Sequence, residues 1–294
     1  MITVICVLYD SDHLIKPFLS QFEKNRKIEK IIFFDNSKKI DLKLSNKSQV
    51  IGTGDNLGYS GAINKAASFA TTDWVLVANP DIDIITNNLD ETNLSEMTFY
   101  APVEIVNNNK IYGYNFPNLF FDALDKTVFR YFKILSRKSI EKKYLRNNLN
   151  MPEKWWQSGA LILMPRIFFK KYNGFNTDYF LFYEDSDVYN KAFLCNFKIV
   201  SATFLSFTNN SNSSKNDVSD IKAYAEMDSF KKFYKKNGNL FLVIFLMKII
   251  DWSHLLIIKF IILFYKNNQI IKRLKFLKYQ LRGLSNKEYK INKK

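Results

Sequence analysis

Cysteine and histidine are almost missing from this chain, with two of each in 294 residues. Cys6 and Cys195 lie far apart with no metal-ligand spacing, so neither a disulfide framework nor a zinc site is expected, and lone thiols fit a reducing compartment. His13 and His254 have no companion His, Cys or carboxylate at ligand spacing. No Ser-x-Gly nucleophile elbow is present, and no His is placed to activate a hydroxyl. Gly54-x-x-x-Gly58-x-x-Gly61 has neither the Gly-Lys-Ser/Thr ending of a P-loop nor the dinucleotide glycine spacing. No internal repeat is visible. Ile2–Tyr9 is short, and Asp10 and Asp12 follow at once, so the start is expected to be a buried strand of a cytosolic protein and not a secretory signal.

Acidic residues are also scarce, but only at one end. Residues 231–294 hold 16 basic side chains and two acidic ones, Asp251 and Glu288, whereas residues 1–230 are nearly balanced at 27 and 26. The formal charge of +15 therefore belongs to a tail. An apolar share of 47% with 16% aromatics is ample for a packed core and excludes a disordered chain. The length suggests one large domain with an appendage. The expected division is a globular domain over 1–230 and a helical extension over 231–294.

The first third alternates short apolar strands with helices. Strands are expected at Ile2–Tyr9, Lys30–Phe34, Gln49–Gly52 and Trp74–Ala78, with helical segments at Leu14–Asn25 and Ser60–Ala70. This pattern predicts an α/β fold with a mostly parallel sheet and helices on both faces. Farther on, a helix is expected over Phe121–Arg146, a strand at Leu161–Met164, a helix at Val188–Cys195, a strand at Lys198–Phe207 and a loop at Asn209–Asp220. Each early strand ends in polar residues, which places Asp10, Asp35, Asn56 and Asp81 along one rim, where open α/β sheets bind ligands. The same residue types are also ordinary turn formers.

Two clusters carry possible chemistry. Asn79-Pro80-Asp81 could hold a hard divalent cation whose shell a diphosphate completes, or could be a turn. Glu184-Asp185-Ser186-Asp187 puts three carboxylates directly after the aromatic run Tyr179–Tyr183. Carboxylates beside apolar walls bind protons more tightly, which suits a general base; acidic residues also favour helix starts. Both can hold at once.

The ordered set resembles something known. Asp35-Asn36-Ser37, Asp55-Asn56-Leu57-Gly58-Tyr59-Ser60-Gly61-Ala62-Ile63-Asn64 and Ala78-Asn79-Pro80-Asp81 are followed by Gln157-Ser158-Gly159-Ala160, Gly174-Phe175-Asn176 and Tyr179-Phe180-Leu181-Phe182-Tyr183-Glu184-Asp185-Ser186-Asp187. Over Ile2–Phe207 this is similar to the family 2 inverting glycosyltransferases of the GT-A fold, in particular the rhamnosyltransferase-like branch. The resemblance implies a Rossmann-like, mostly parallel sheet and a nucleotide-sugar donor, dTDP-rhamnose or a UDP-sugar. It implies that Tyr9, Asp35, Asn56, Gly58, Asn79 and Asp81 bind the donor, with Asp81 on a divalent Mn²⁺ or Mg²⁺. Asp185 would be the catalytic base, with Glu184 and Trp156 placing the acceptor, a lipid-linked or cell-surface glycan. Family members usually carry a His after the strand that follows the Glu-Asp pair. Here that stretch is Phe207-Thr208-Asn209-Asn210-Ser211, so Thr208, a neighbouring Asn or water would take its place. A catalytically weak, glycosyltransferase-like subunit acting as a membrane-bound binding or assembly module is the alternative.

Leu240–Phe264 is apolar except for Lys248, Asp251, Ser253, His254 and Lys259. A spanning helix needs about 20 apolar residues, but each central charge costs roughly 2.5–3.5 kcal/mol. Helices lying in the interface, or packed on the catalytic domain or in a homodimer, are the alternatives. Ten basic residues against one acidic over Lys266–Lys294 add a second signal for an anionic membrane. The expectation is peripheral attachment at the cytoplasmic membrane face. Nucleic acid is not expected, because the basic stretch adjoins a long apolar run and the first 230 residues are electrically neutral.

Overall fold

The computed structural model describes residues 1–127, 144–145, 151–209, 220–235, 238–264 and 268–285. In chain order the strands are β1 (Ile2–Leu8), β2 (Ile28–Asp35), β3 (Lys39–Lys43), β4 (Ser48–Thr53), β5 (Trp74–Ala78), β6 (Ile82–Asn87), β7 (Thr98–Val106), β8 (Asn109–Ile111), β9 (Gly113–Asn115), β10 (Tyr144–Leu145), β11 (Trp155–Trp156), β12 (Leu161–Pro165) and β13 (Lys198–Asn209). The helices are α1 (Ile15–Phe22), α2 (Gly58–Ala67), α3 (Leu119–Lys126), α4 (Ile167–Tyr172), α5 (Glu184–Leu194), α6 (Asp220–Phe233), α7 (Leu240–Phe264) and α8 (Asn268–Leu284). They fall into two units.

The first unit comprises Met1–Phe116, Tyr144–Phe180 and Glu184–Ser213. Its main sheet runs β3-β4-β2-β1-β5-β12-β7-β13-β6, with β8 beside β7. The pairs β4-β2, β2-β1 and β1-β5 are parallel, whereas β12 runs antiparallel to both β5 and β7. β3 and β6 close the edges antiparallel to β4 and β13. A second, three-stranded sheet runs β10-β9-β11. This is the α/β class expected, with seven strands the periodicity had not indicated, β3, β6, β7 and β8 in the main sheet and β9, β10 and β11 in the second. β3 and β6 carry exposed alternate residues typical of edges, and β7 contains Pro102, which removes a donor from the ladder.

The strands read as unbroken apolar runs because both sheet faces are covered. Val4, Cys6 and Leu8 join Phe18, Phe22 and Phe33 under α1 on one face. Ile5, Ile32 and Val77 join Ala62, Ala66, Phe168 and Tyr189 of α2, α4 and α5 on the other. The small residues of α2 let it lie close to the sheet. α5 begins one turn earlier than the expected Val188, so Glu184, Asp185 and Asp187 occupy its first turn and complement the helix dipole.

The second unit comprises Pro117–Lys143, Leu181–Tyr183 and Ser214–Lys294. Its described helices are α3, α6, α7 and α8. The Tyr183 and Tyr234 hydroxyls both donate to the buried Asp122 Oδ2, at 3.2 and 2.7 Å. Lys126 pairs with Glu226 at 2.7 Å. Leu255 and Ile258 of α7 pack on Leu277 and Leu281 of α8. Of the helix expected over Phe121–Arg146, only Phe121–Lys126 is helical, as part of α3; Thr127 is extended and ends it, Tyr144–Leu145 pair with β9 as the strand β10, and the rest lies outside the described residues. So does most of the expected loop at Asn209–Asp220.

Candidate active site

The carboxyl ends of β4, β2, β1 and β5 stand side by side, so the polar residues after them form one continuous rim. Leu8 is in register with Asp35, and Asn36 N donates to Leu8 O at 2.8 Å. Asp35 is 1% exposed. Its Oδ1 accepts from Ser37 N, Ser37 Oγ and Lys38 N, which fixes the turn after β2. Tyr9 is exposed, and the following Asp10 adopts a left-handed φ of 50°.

Asn36 is the brace of this end. Its Nδ2 donates to Asn56 Oδ1 at 3.0 Å and to Gly58 O at 3.1 Å, and its Oδ1 accepts from Leu57 N at 2.8 Å. Asn56 Oδ1 also accepts from Gly58 N at 3.1 Å. Gly58 has φ +71°, and a Cβ there would lie 2.8 Å from Phe180 O, so the position requires glycine. Tyr59 N donates to the same Phe180 O at 3.0 Å, which ties the start of α2 to the aromatic run before α5.

Tyr59 stands at the centre. Its hydroxyl lies 2.7 Å from Asn79 Oδ1 and 3.2 Å from Gly159 O. Burial raises its proton affinity most, and the carboxylates of Glu184, Asp185 and Asp81 add to the rise. The phenol therefore stays neutral under the influence of three acidic groups, Asp81 from the turn after β5 and Glu184 and Asp185 from α5. Asp81, half-buried, accepts no hydrogen bond from the described residues, and its charge reaches the Cys6 thiol beneath the rim.

Phe182 and Tyr183 both have left-handed φ, 71° and 67°, an uncommon arrangement for bulky residues that turns the chain sharply into α5. Glu184 and Asp185 follow directly. Asp185 is half-buried, its Oδ2 accepting from Gly159 N at 3.3 Å and its Oδ1 from Ser186 N at 2.7 Å. Burial raises the proton affinity of Asp185, and those N–H donors hold the rise back. Glu184 is buried, with Oε2 lacking a hydrogen-bond partner among the described residues. Burial, helped by the Asp185 charge, pushes it up to about 8. Within the pair, burial holds the proton of Glu184, while the N–H donors on Asp185 favour its carboxylate form.

Trp156 lies on β11, half-buried, its Nε1 donating to Asn115 O at 3.1 Å and its ring 5.0 Å from that of Tyr114. The Tyr114 hydroxyl donates to Glu104 Oε2 at 2.5 Å. Burial raises Glu104, the Tyr114 bond opposes this, and the Asp185 charge adds to it. Glu104 is therefore a further carboxyl near Asp185 that the sequence did not single out, because β7 itself was not evident. Tyr59, Asn36 and Gly159 were present in the quoted motifs but had no assigned role. Two motif parts are scaffolding. Gln157, fully buried, bonds Pro102 O and Ile111 O at 3.0 Å each, and Asn64 closes two bonds with the Phe175 backbone.

The residues can be tested for a cation. Among the described residues no three His, Cys, Asp or Glu side chains cluster as a metal cage. Asp81 is an open carboxylate, whereas Asn79 Oδ1 is occupied by Tyr59. Asn209, at the end of β13, is in register with Ile82, next to Asp81 in the chain. Its Oδ1 is buried with no hydrogen-bond partner among the described residues. One carboxylate and a spare amide oxygen fit a hard ion that arrives with a diphosphate and keeps water, as Mg²⁺-type ions do.

No family model and no curated protein matches the chain. Solved structures do. The mannosyltransferase PcManGT from Pyrobaculum calidifontis, solved with GDP-Man and Mn²⁺, superposes with a TM-score of 0.53 over 98% of this chain and 88% of that one, at 12% identity. GalNAc-T7, solved with UDP, GalNAc and Mn²⁺, superposes with a TM-score of 0.50 over 71% of this chain and 43% of that one, at 11% identity. The fold is GT-A.

Proposed function

We propose that the chain is an inverting glycosyltransferase that moves a sugar from a nucleotide diphosphate donor to an acceptor hydroxyl. One observation carries the reading: Asp185 heads α5 with its carboxylate fixed by Gly159 N–H, beside the Tyr59–Asn79 pair and the open Asp81. Two solved structures with this fold, one with GDP-Man and one with UDP and GalNAc, support a nucleotide-sugar donor.

An acceptor hydroxyl is a weak nucleophile. Asp185 takes its proton as the oxygen attacks the anomeric carbon on the face opposite the nucleotide, and the nucleotide diphosphate leaves. A single displacement inverts the centre. Glu184, neutral, donates to the acceptor and orients it. Trp156 offers a flat apolar face to a sugar ring. Asn56 and Gly58 shape the nucleotide pocket, with Tyr9 and Asp35 at its far wall. Asp81, with Asn209 in support, would hold a divalent Mn²⁺ or Mg²⁺. When bound, the ion neutralises charge on the leaving diphosphate.

The sequence resemblance supports a family 2, rhamnosyltransferase-like enzyme, and the donor proposed is dTDP-rhamnose ahead of UDP-sugars. The acceptor proposed is a lipid-linked or cell-surface glycan met at the cytoplasmic face of a membrane. A thermal-shift and hydrolysis panel of nucleotide sugars, with and without Mn²⁺, tests the reading. One donor should raise the melting temperature and be turned over. Binding without turnover in the presence of acceptor would make the chain a glycosyltransferase-like binding subunit. No response to any nucleotide sugar would refute both.

A further inference from the structure

The second unit carries a surface that the catalytic reading does not use. In α7, Met247, Asp251, Leu255 and Ile258 are buried and recur at helical spacing, so they form one face; Leu255 and Ile258 pack on Leu277 and Leu281 of α8. The opposite face is open and apolar. Phe241, Phe245, Ile249, Trp252, Leu256 and Phe260 follow one another at spacings of three or four residues and are 48–84% exposed. Leu242, Leu246, Ile257 and Ile261 widen the same arc, at 40–58% exposed. Such a contiguous apolar surface on a water-soluble protein marks an interaction site.

The charges that argue against a simple span stand outside this arc. Asp251 is fully buried on the inner face. Lys248 and Lys259 are eleven positions apart, close to three helical turns, and so flank the arc on one side, where their stems can reach a polar boundary. α8 adds Lys272, Lys275, Lys278 and Arg282, all exposed and sharing one arc, and α8 has no acidic residue in its first turn. α7 by itself is long and apolar enough to cross a bilayer, but packed on α8 it would carry that helix's cations in with it, at roughly 2.5–3.5 kcal/mol for each central charge.

We infer that α7 lies in the plane of an anionic membrane surface, its Phe241–Ile261 face in the acyl boundary and the α8 cations on lipid phosphates. Apolar area and basic charge together supply the two signals that stable peripheral attachment needs. The occupant is a lipid surface and not a second copy of the chain, since a self-complementary face would set the flanking lysines of the two copies close to one another without acidic partners. The inference deepens the membrane placement proposed above and is independent of the catalytic assignment.

The test uses the full chain with vesicles of phosphatidylcholine alone or containing phosphatidylglycerol. Co-sedimentation is expected with the anionic vesicles only. Replacing Lys272, Lys275 and Lys278 by Ala should weaken binding about a hundredfold, since each cation contributes about fivefold. Phe245→Asp with Leu256→Asp should abolish it, and as both positions are exposed the circular-dichroism melt should stay unchanged. Acyl chains brominated near the headgroup should quench Trp252 more than chains brominated near the methyl end, with Trp252→Phe as the blank. Stronger quenching from the deep bromines, equal binding to neutral vesicles, or a vesicle-free dimer that the Asp pair dissolves would each overturn the inference. Hydrolysis of the donor by the same variants without vesicles reads the catalytic proposal separately.

Discussion

Gly159 N donates to Asp185 Oδ2 at 3.3 Å, and a Cβ at residue 159 would stand 2.9 Å from Asp185 Cβ. The strand start that follows Trp156 and the first turn of α5 therefore meet closely because one of them lacks a side chain. Gly159→Ala must push Asp185 away. A displacement of that order at a reacting group costs about a hundredfold in rate. The expected outcome is a transfer rate lowered to that extent, with nucleotide binding and the thermal melt little changed. Steady-state transfer and calorimetric binding on the same preparation check it.

Tyr59 bridges α2 to the end of β5. Tyr59→Phe leaves Asn79 Oδ1 without its donor, and an orphaned, partly buried acceptor costs about 1–3 kcal/mol. Chemical denaturation should show that loss. Calorimetry should show weaker nucleotide binding as well, because Asn79 and Asp81 share the turn that Tyr59 holds. Full donor affinity in this variant would remove the 79–81 turn from the donor site.

Glu184 gives a pH dependence of defined sign. Folding raises its pKa to about 8 from an unfolded value near 4.3, so the stability it contributes is complete below about 4.3 and is lost as pH rises through about 8. Transfer should rise at low pH as Asp185 ionises, then fall near pH 8 as Glu184 loses the proton with which it orients the acceptor. Glu184→Gln keeps an N–H donor and no charge. Its pH–rate profile should keep the acidic limb and lose the fall near pH 8, and its melting temperature should no longer decline toward alkaline pH.

Gly58→Ala tests the scaffold and not the chemistry. The residue sits at φ +71°, where an alanine costs about 1–2 kcal/mol, and its Cβ would also meet Phe180 O at 2.8 Å. Urea denaturation should show a loss of at least that size. A neutral result would mean the 54–58 loop is not fixed to Phe180 in solution.

Much of this site was legible because its residues end strands. A buried parallel strand must stop where the sheet stops, so Asp35, Asn79 and Asp81 declared their place through the apolar runs before them. Asp185 was legible from three carboxylates packed against aromatics. What stayed hidden depends on contacts distant in sequence. Glu104 lies on β7, where Pro102 interrupts the strand pattern, and the Asp185 charge that acts on it comes from α5, far along the chain. Asn36 and Tyr59 read as turn and helix residues until their partners, Asn56 and Asn79, each twenty positions on, were in place. The two faces of α7 were masked by its nearly uniform apolar composition; burial against α8 separates them.

The central claim is that Asp185 accepts the proton of the attacking hydroxyl. Asp185→Asn removes the base but keeps its size and its place on α5. Transfer should be compared in wild type and variant with the nucleotide sugar that gives the largest thermal shift, alongside calorimetric donor binding. Donor affinity should be preserved and transfer should fall by about 10²–10⁴-fold, the usual contribution of a general base. Transfer at the wild-type rate, with the donor bound equally well, would contradict the claim.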